Sequence, residues 1–256
     1  MPPPSAGGIL IARALAWLDG EPSPPPLEQV VAVMERTQNE RTPEFLAGLD
    51  DPGFVEHFLK EQGRGQGEAG PPGGPVGSTT HIAVIDVDGW ACSVTCSNGS
   101  CSGVIVPGTG VHLNNMLGEQ DLNPLGFHRH PPGRRMPSMM APTAVLRDGI
   151  AELVLGSAGS NRIRSAILQT IIHVIDMEQP AGDAVEAPRV HFEDGIVYAE
   201  PGVDTAPLER AGRAIGRFRE LNLFFGGVQA VERDGEGRFW GGGDPRRGGA
   251  AITVGG

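Results

Sequence analysis

Hydrophobic positions recur at helical spacing over the first sixty residues and at strand spacing over much of the remainder. Ile9, Leu10, Ala12, Leu15, Ala16 and Leu18 predict a buried helix from Gly7 to Leu18, stopped by Asp19-Gly20. A second helix is expected from Leu27 to Arg36, entered through Pro24 to Pro26, with Val30, Val31 and Met34 inward. A third amphipathic segment follows Asp50-Asp51-Pro52, with Phe54, Val55, Phe58 and Leu59 on one face. Three short helices cannot own a core, so they are expected to pack on something else. The stretch from Gln62 to Gly77 is dominated by glycine and proline and reads as a linker or surface loop.

Beyond it the period shortens. His81 to Asp86 and Trp90 to Ser97 flank Asp88-Gly89 and predict a hairpin. Val104 to Val106 and Gly110 to Leu113 read as a second strand pair around Pro107-Gly108, and Ala144 to Leu146 with Ala151 to Leu155 as a hairpin across Asp148-Gly149. Asn161 to Met177 predicts the longest helix, buried through Ile163, Ala166, Ile167, Thr170, Ile171, Val174 and Ile175. A short helix from Ala181 to Glu186, a strand from Ile196 to Ala199, a helix from Pro207 to Phe218 and a closing hairpin (Gly227 to Val231, Gly237 to Gly242) follow. Strands that pair locally, with helices left to cover sheet faces, give an α+β class in layers.

Composition narrows the function classes. The chain has 256 residues, 39% of them hydrophobic, enough for a sizeable core. A formal net charge of −11 argues against nucleic acid or an anionic membrane as partner, because phosphate binding needs a basic surface. Arginines cluster at Arg129, Arg134 and Arg135 and at Arg246 and Arg247, which would suit carboxylates, although solvated loop charge is the plainer reading. No run approaches the roughly 20 apolar residues of a membrane span, and Met1-Pro2-Pro3-Pro4 lacks the basic and apolar regions of a signal peptide. The chain as given is therefore expected to be cytoplasmic. Cys92, Cys96 and Cys101 crowd into ten residues without zinc spacing, so reduced thiols on or beside a strand are expected, with no metal and no cofactor.

Three stretches offer chemistry. Thr79, at the junction Ser78-Thr79-Thr80-His81, would be a weak nucleophile within a chain. At a free N-terminus its own α-amine could take the hydroxyl proton, uniting nucleophile and base. Gly156-Ser157-Ala158-Gly159-Ser160, between a strand and the longest helix, is a small-residue turn whose backbone N–H groups could hold an oxyanion or carboxylate. It lacks the Gly-Lys-Ser/Thr ending of a phosphate loop. Thr95, Ser97, Asn98 and Ser100, then Asn114, Asn115 and Glu119, place hydrogen-bonding groups at strand ends, where each alone would pass for a turn former.

Taken in register, these pieces resemble the γ-glutamyltransferases (γ-glutamyltranspeptidases, or glutathione hydrolases). The resemblance rests on Thr79-Thr80-His81 with Val84, Asp86, Asp88-Gly89 and Val94-Thr95. It continues through Pro107-Gly108-Thr109-Gly110 to Leu113-Asn114-Asn115, Met140-Ala141-Pro142-Thr143, Gly156-Ser157-Ala158-Gly159 with Arg162-Ile163, Glu186-Ala187-Pro188-Arg189-Val190-His191, and Gly243-Asp244-Pro245-Arg246-Arg247-Gly248-Gly249. Pro2-Pro3-Pro4-Ser5-Ala6-Gly7-Gly8 is similar to a motif near the end of the family's large subunit.

That resemblance implies an N-terminal nucleophile hydrolase: a four-layer αββα sandwich, here lacking the first part of the large subunit. Residues 1–61 would be a helical remnant of that subunit, 62–78 a flexible linker ending at the processing site, and 79–256 the small-subunit catalytic region. It implies self-cleavage between Ser78 and Thr79, attack of the freed Thr79 on a γ-glutamyl amide such as glutathione, and release of the acyl group to water or an amine. Position by position, Ser97 would support Thr79, and Gly159 and Ser160 would stabilise the oxyanion through their backbone N–H groups, Ser160 standing where a second glycine is usual. Glu119 takes the place of an aspartate that holds the substrate ammonium, Ser138 falls in a serine pair that binds the α-carboxylate, and Asn98 or Gly99 lies near a substrate-binding asparagine. Met116 replaces a polar residue, and the arginine that clamps the α-carboxylate belongs to the large-subunit region outside this sequence. The implied partners are a small γ-glutamyl substrate and the remaining large-subunit region or a second copy of the chain. Two other readings stand beside this one: an inactive fragment or one chain of a split assembly, and an amidase of the same chemistry on another acyl group.

Overall fold

The computed structural model describes residues 4–20, 22–60, 78–123, 126–129 and 132–254. The stretch expected to be a linker, 62–77, lies outside them.

Four helices precede the first strand: α1 (Ala6–Leu18), α2 (Leu27–Asn39), α3 (Pro43–Gly48) and α4 (Pro52–Lys60). The unexpected one is α3, too short for a periodic signal but started by Thr42, whose hydroxyl accepts from Phe45 N–H at 3.1 Å. Then come β1 (Thr79–Ile85), β2 (Ala91–Ser97), β3 (Thr143–Arg147), β4 (Ile150–Ala158), α5 (Arg162–Ile171), α6 (Ala181–Glu186), β5 (Val190–Glu193), β6 (Ile196–Ala199), α7 (Ala206–Arg210), β7 (Ala214–Arg217), β8 (Gly227–Arg233) and β9 (Phe239–Gly243). A wider π-type stretch, Ile172–Asp176, prolongs α5 to nearly the predicted length.

The class is α+β. The central sheet runs β3-β4-β8-β9, antiparallel throughout, and the β1-β2 hairpin packs on one of its faces. On the other face, α1, α5 and α6 bury Leu10, Ile163, Ala166, Ile167, Ala184 and Val185 against Leu153, Leu155, Val228 and Ala230. A second core joins α2 and α5 to a small β5-β6-β7 sheet through Val31, Met34, Leu168, Ile172, Val190, Val197 and Leu208. The helical segment thus does pack on the strand-rich part, as its shortness demanded. The outer face of the hairpin is different. Ile82 and Val84, with Val94 cross-strand from Ile82, are 56%, 48% and 40% exposed, so this side of the sheet is apolar and open to solvent. Cys92 and Cys96 are exposed on the same hairpin, as free thiols.

Two expectations are corrected. Val104 to Val106 and Gly110 to Leu113 are not strands: they make one isolated bridge, Ile105 with His112. Val104, Ile105, Val111 and Leu113 are all exposed, so no packed face rewards a longer ladder. The helix expected from Pro207 to Phe218 ends at Arg210, because Gly212 turns with φ +76° and the chain then runs as β7 in parallel with β6. The four residues Ala214-Ile215-Gly216-Arg217 carry no clear period, and pairing with β6 decided their state.

The contact between hairpin and central sheet turns on His81. Its Nδ1 lies 2.8 Å from Thr95 Oγ1, and its ring rests over Gly156 of β4, where a Cβ would come within 2.4 Å of the imidazole. Ser93 Oγ, 3.4 Å from His81 Nε2, donates to Leu155 O at 3.1 Å and so ties hairpin to sheet. Burial pushes the His81 imidazole down to about 4, and burial lowers His173 and His191 as well. A histidine that stays neutral in the folded chain but binds a proton when unfolded makes stability rise with pH. The contribution is complete above the ordinary value near 6.5 and is lost as pH falls toward 4. Urea midpoints at pH 7.5 and 5.0 are expected to fall with acidification, and the fall should shrink in His81→Gln; an unchanged slope in the variant would refute the assignment to His81.

Candidate active site

Antiparallel pairing places Thr79, first residue of β1, opposite Ser97, last residue of β2. Their side chains share the inner face, and Thr79 Oγ1 lies 2.8 Å from Ser97 Oγ. Ser97 Oγ also accepts the Gly99 N–H at 3.0 Å, which fixes the hydroxyl beside Thr79. The residue before Thr79 is held in the same register: Ser78 N–H donates to Gly99 O, and Asn98 N–H donates to Ser78 O at 3.2 Å. The Ser78 carbonyl is therefore polarised by a backbone donor, adjacent to the Thr79 hydroxyl.

These groups open onto a cleft of about 550 Å³ that is continuous with solvent. Thr79, Ser97, Glu119, Ser138, Gly159 and Ser160 all line it, so six of the seven residues singled out in the sequence converge, from stretches as much as 81 positions apart. Gly159 and Ser160 form the turn between β4 and α5, with φ +131° and +56°. Their carbonyls accept from Arg162 and Ile163 N–H at 3.0 and 3.2 Å, as the first turn of the helix requires. Ser138 is buried, and its carbonyl accepts the Gly7 N–H at 3.1 Å. Ser5 Oγ donates to Met140 O at 2.9 Å, so the start of α1 fastens the segment that forms one wall of the cleft.

Asn98 is the residue not brought in. It is exposed, and Gly99 occupies the cleft wall instead. The backbone of Asn98 is engaged on both sides, its N–H with Ser78 and its carbonyl with Cys101 and Asn115 N–H. Glu119 lines the cleft with part of its carboxylate already used: Oε1 accepts the Ser100 N–H at 2.7 Å. Asn115 completes this clasp, accepting from Ser100 N–H at 2.8 Å and donating to Ser100 Oγ at 2.6 Å. The Asn114-Asn115 motif thus shapes the loop beside Thr79.

Other walls of the cleft come from residues not assigned a site role in the sequence. Met116, Leu122, Met139, Met140 and Ile163 supply the apolar ones, and Arg162 and Arg247 the cationic one. Methionines carry no local signature of a site; Arg247 stood in a noted cluster, but only the fold says which arginine of the pair turns inward. Its neighbour Arg246 is fully committed elsewhere, with Nη2 2.5 Å from Glu200 Oε2 and Nη1 3.2 Å from Asp244 Oδ1. Asp244 also binds Arg189 Nη1 at 2.7 Å and Val228 N–H at 2.8 Å. The Gly-Asp-Pro-Arg and Ala-Pro-Arg motifs therefore meet in a buried ion cluster that fixes the end of the central sheet beside the cleft. Arg134 pairs instead with exposed Asp50, outside the cleft.

Two paired hydroxyls at a strand end, facing a tight turn at a helix start, are an arrangement that can support acyl transfer. Comparison with known proteins places that arrangement. The profile of the Gamma-glutamyltranspeptidase family matches residues 1–254. A glutathione hydrolase proenzyme of Pseudomonas sp. (strain A14) is 30% identical over 96% of this chain and 51% of its own length. An acylase ACY 1 proenzyme of Pseudomonas sp. (strain SE83) is 28% identical over the whole chain and 50% of its own. The chain thus spans about half the length of these relatives. Among solved structures, the gamma-glutamyltranspeptidase from Pseudomonas nitroreducens complexed with L-DON superposes with a TM-score of 0.57 at 29% identity, covering 68% of this chain and 99% of that one. With a profile spanning nearly every residue and a shared fold behind it, this chain belongs to the gamma-glutamyltranspeptidase family.

Proposed function

We propose that the chain cleaves itself between Ser78 and Thr79 and that the freed Thr79 hydrolyses or transfers γ-glutamyl amides of the glutathione type. The observation that carries the reading is the 2.8 Å approach of Thr79 Oγ1 to Ser97 Oγ inside the cleft lined by Gly159 and Ser160. In maturation, Thr79 Oγ1 attacks the Ser78 carbonyl carbon, and the Asn98 N–H, 3.2 Å from the carbonyl oxygen, meets the developing negative charge. The C–N bond breaks, the nitrogen takes a proton, and water opens the resulting ester to leave a Ser78 carboxylate and a Thr79 amine.

That amine, with an ordinary pKa near 8, becomes the general base. It takes the Thr79 hydroxyl proton as Oγ1 attacks the substrate amide, and Gly159 and Ser160 N–H hold the tetrahedral oxyanion. The proton passes to the leaving amine, an acyl ester remains on Thr79, and water or an acceptor amine releases it. Glu119 would attract the substrate ammonium and Ser138 its carboxylate. The acylase relative, matched over the whole of this chain and half of its own length, favours one variation on this chemistry, the same attack on a different acyl group.

We also propose that the open apolar face around Ile82, Val84 and Val94 takes up further polypeptide, either the region matching the remainder of the relatives or a second copy. Sedimentation with activity decides this: a compact monomer turning over substrate alone would refute it.

Intact mass after purification, followed by turnover of a γ-glutamyl anilide, tests the main reading. Two pieces meeting at residue 78 are expected. In Ser97→Ala both processing and turnover should slow by about 10²-fold or more, and Ser97→Thr should recover most of the loss. A chain that stays whole, even with the complementary region supplied, removes the mechanism.

A further inference from the structure

A second, narrower cleft of about 290 Å³ opens where α1, α2, α5 and β5 meet, among Leu10, Met34, Thr37, Arg164, Ser165 and His191. It shares no described lining residue with the Thr79 cleft. The two are nevertheless served by one helix turn: Arg164 follows Arg162 by two positions in α5, about 200° round the helix axis, so the two side chains leave in opposite directions. The interior admits little more than one water-sized sphere, so any occupant must be small.

Arg164 is the charged group of this wall, and it is only 7% exposed. Its hydrogen-bond partners are neutral. Nη2 donates to Gln38 Oε1 at 2.5 Å, and Nη1 reaches Thr37 Oγ1 at 3.5 Å. Among the described residues no carboxylate lies within ion-pair distance of it. Glu193, the carboxylate that acts on it from further off, is engaged by Asn161 Nδ2 at 3.1 Å and lies 3.8 Å from Arg162 Nη1. Two buried donors of the group, Arg164 Nε and Gln38 Nε2, have no acceptor among the described residues. The neighbouring hydroxyls are occupied: Thr37 Oγ1 donates to Val33 O at 2.9 Å, and Ser165 Oγ pairs with His191 Nδ1 at 2.8 Å. Burial and the like charge of Arg41 lower the Arg164 guanidinium to about 9, with Glu193 opposing. A buried cation whose bonded partners are all neutral keeps a desolvation penalty that an anion beside it would offset.

We propose that this second cleft binds a small monovalent inorganic anion of chloride size, held by Arg164 at the junction of α2, α5 and β5. The space excludes larger organic anions. A water would fit and could accept from the donors, but it would leave the charge uncompensated. The inference is independent of the chemistry assigned to Thr79.

Thermal melts of the full chain test it, with gluconate exchanged for chloride at constant ionic strength. Chloride should raise Tm along a saturating curve, by about 2–6 °C at ten times Kd. Arg164→Met and Arg164→Gln should lose this increment whatever their baseline stability, whereas Arg134→Gln, which removes an exposed ion pair with Asp50, should keep it. Crystals grown in bromide should show an anomalous peak beside Arg164, and this measurement decides alone if neither Arg164 variant folds. A chloride increment equal in the parent chain and the Arg164 variants, or a bromide crystal with water and no anomalous peak at Arg164, overturns the proposal.

Discussion

Thr79→Ala is expected to leave a chain of undivided mass that turns over no γ-glutamyl anilide, whereas Thr79→Ser keeps both activities at a reduced rate. The proposed chemistry uses the Thr79 oxygen twice, once against the Ser78 carbonyl and once against the substrate, so a methyl side chain removes both steps together. Loss of a nucleophile eliminates the covalent route, and what survives in such enzymes is typically lower by several powers of ten. Serine retains the hydroxyl within reach of Ser97, but it lacks the methyl that restricts the rotamer. Intact mass and steady-state rates on the same preparations check both outcomes. A Thr79→Ala chain that divides at residue 78, or a normal rate in the divided product, would sink the assignment of Thr79 as nucleophile. Folding is checked independently by the urea midpoint, since Thr79 is partly exposed and its removal should barely move it.

The largest stability effect is expected at Asp244. Its carboxylate is wholly buried and binds Arg189, Arg246 and the N–H groups of Val228 and Arg246. Asp244→Ala leaves two buried guanidinium groups with Glu200 as the remaining carboxylate, bound to Arg246. Removing one partner from a buried ion cluster costs about 3–5 kcal/mol, roughly 10 °C in Tm for a chain of this size. Asp244→Asn preserves shape and one acceptor while removing the charge, and it should fall between. A loss below about 1 kcal/mol for the alanine variant would mean that the cluster contributes little beyond packing.

Much of the fold was legible because burial imposed a clear period. The β1-β2 and β3-β4 hairpins announced themselves through Asp88-Gly89 and Asp148-Gly149, and α5 through unbroken apolar spacing from Ile163. The misread segments are those whose state depends on a distant partner: β7 exists because β6 offers it an edge, and the ladder near Ile105 fails because nothing covers it. The site followed the same division. Thr79, Ser97, Gly159 and Ser160 were legible through ordered motifs, and the cross-strand pairing gives two of them their contact. Asn98 and Gly99 stood as alternatives one residue apart, and of the two Gly99 lines the cleft. Arg247, Met116 and Met140 were noted in the sequence but not as walls of the cleft, since that place depends on which side of a turn faces it.

The closing turn has a consequence for how such a protein can diverge. Within four consecutive residues, Asp244 and Arg246 are locked into the frame while Arg247 projects toward the cleft. The buried ion pairs and the cleft-lining side chain are therefore carried by different positions of one turn. Replacements at 247 would therefore alter the cleft wall while the ion pairs of 244 and 246 stay in place.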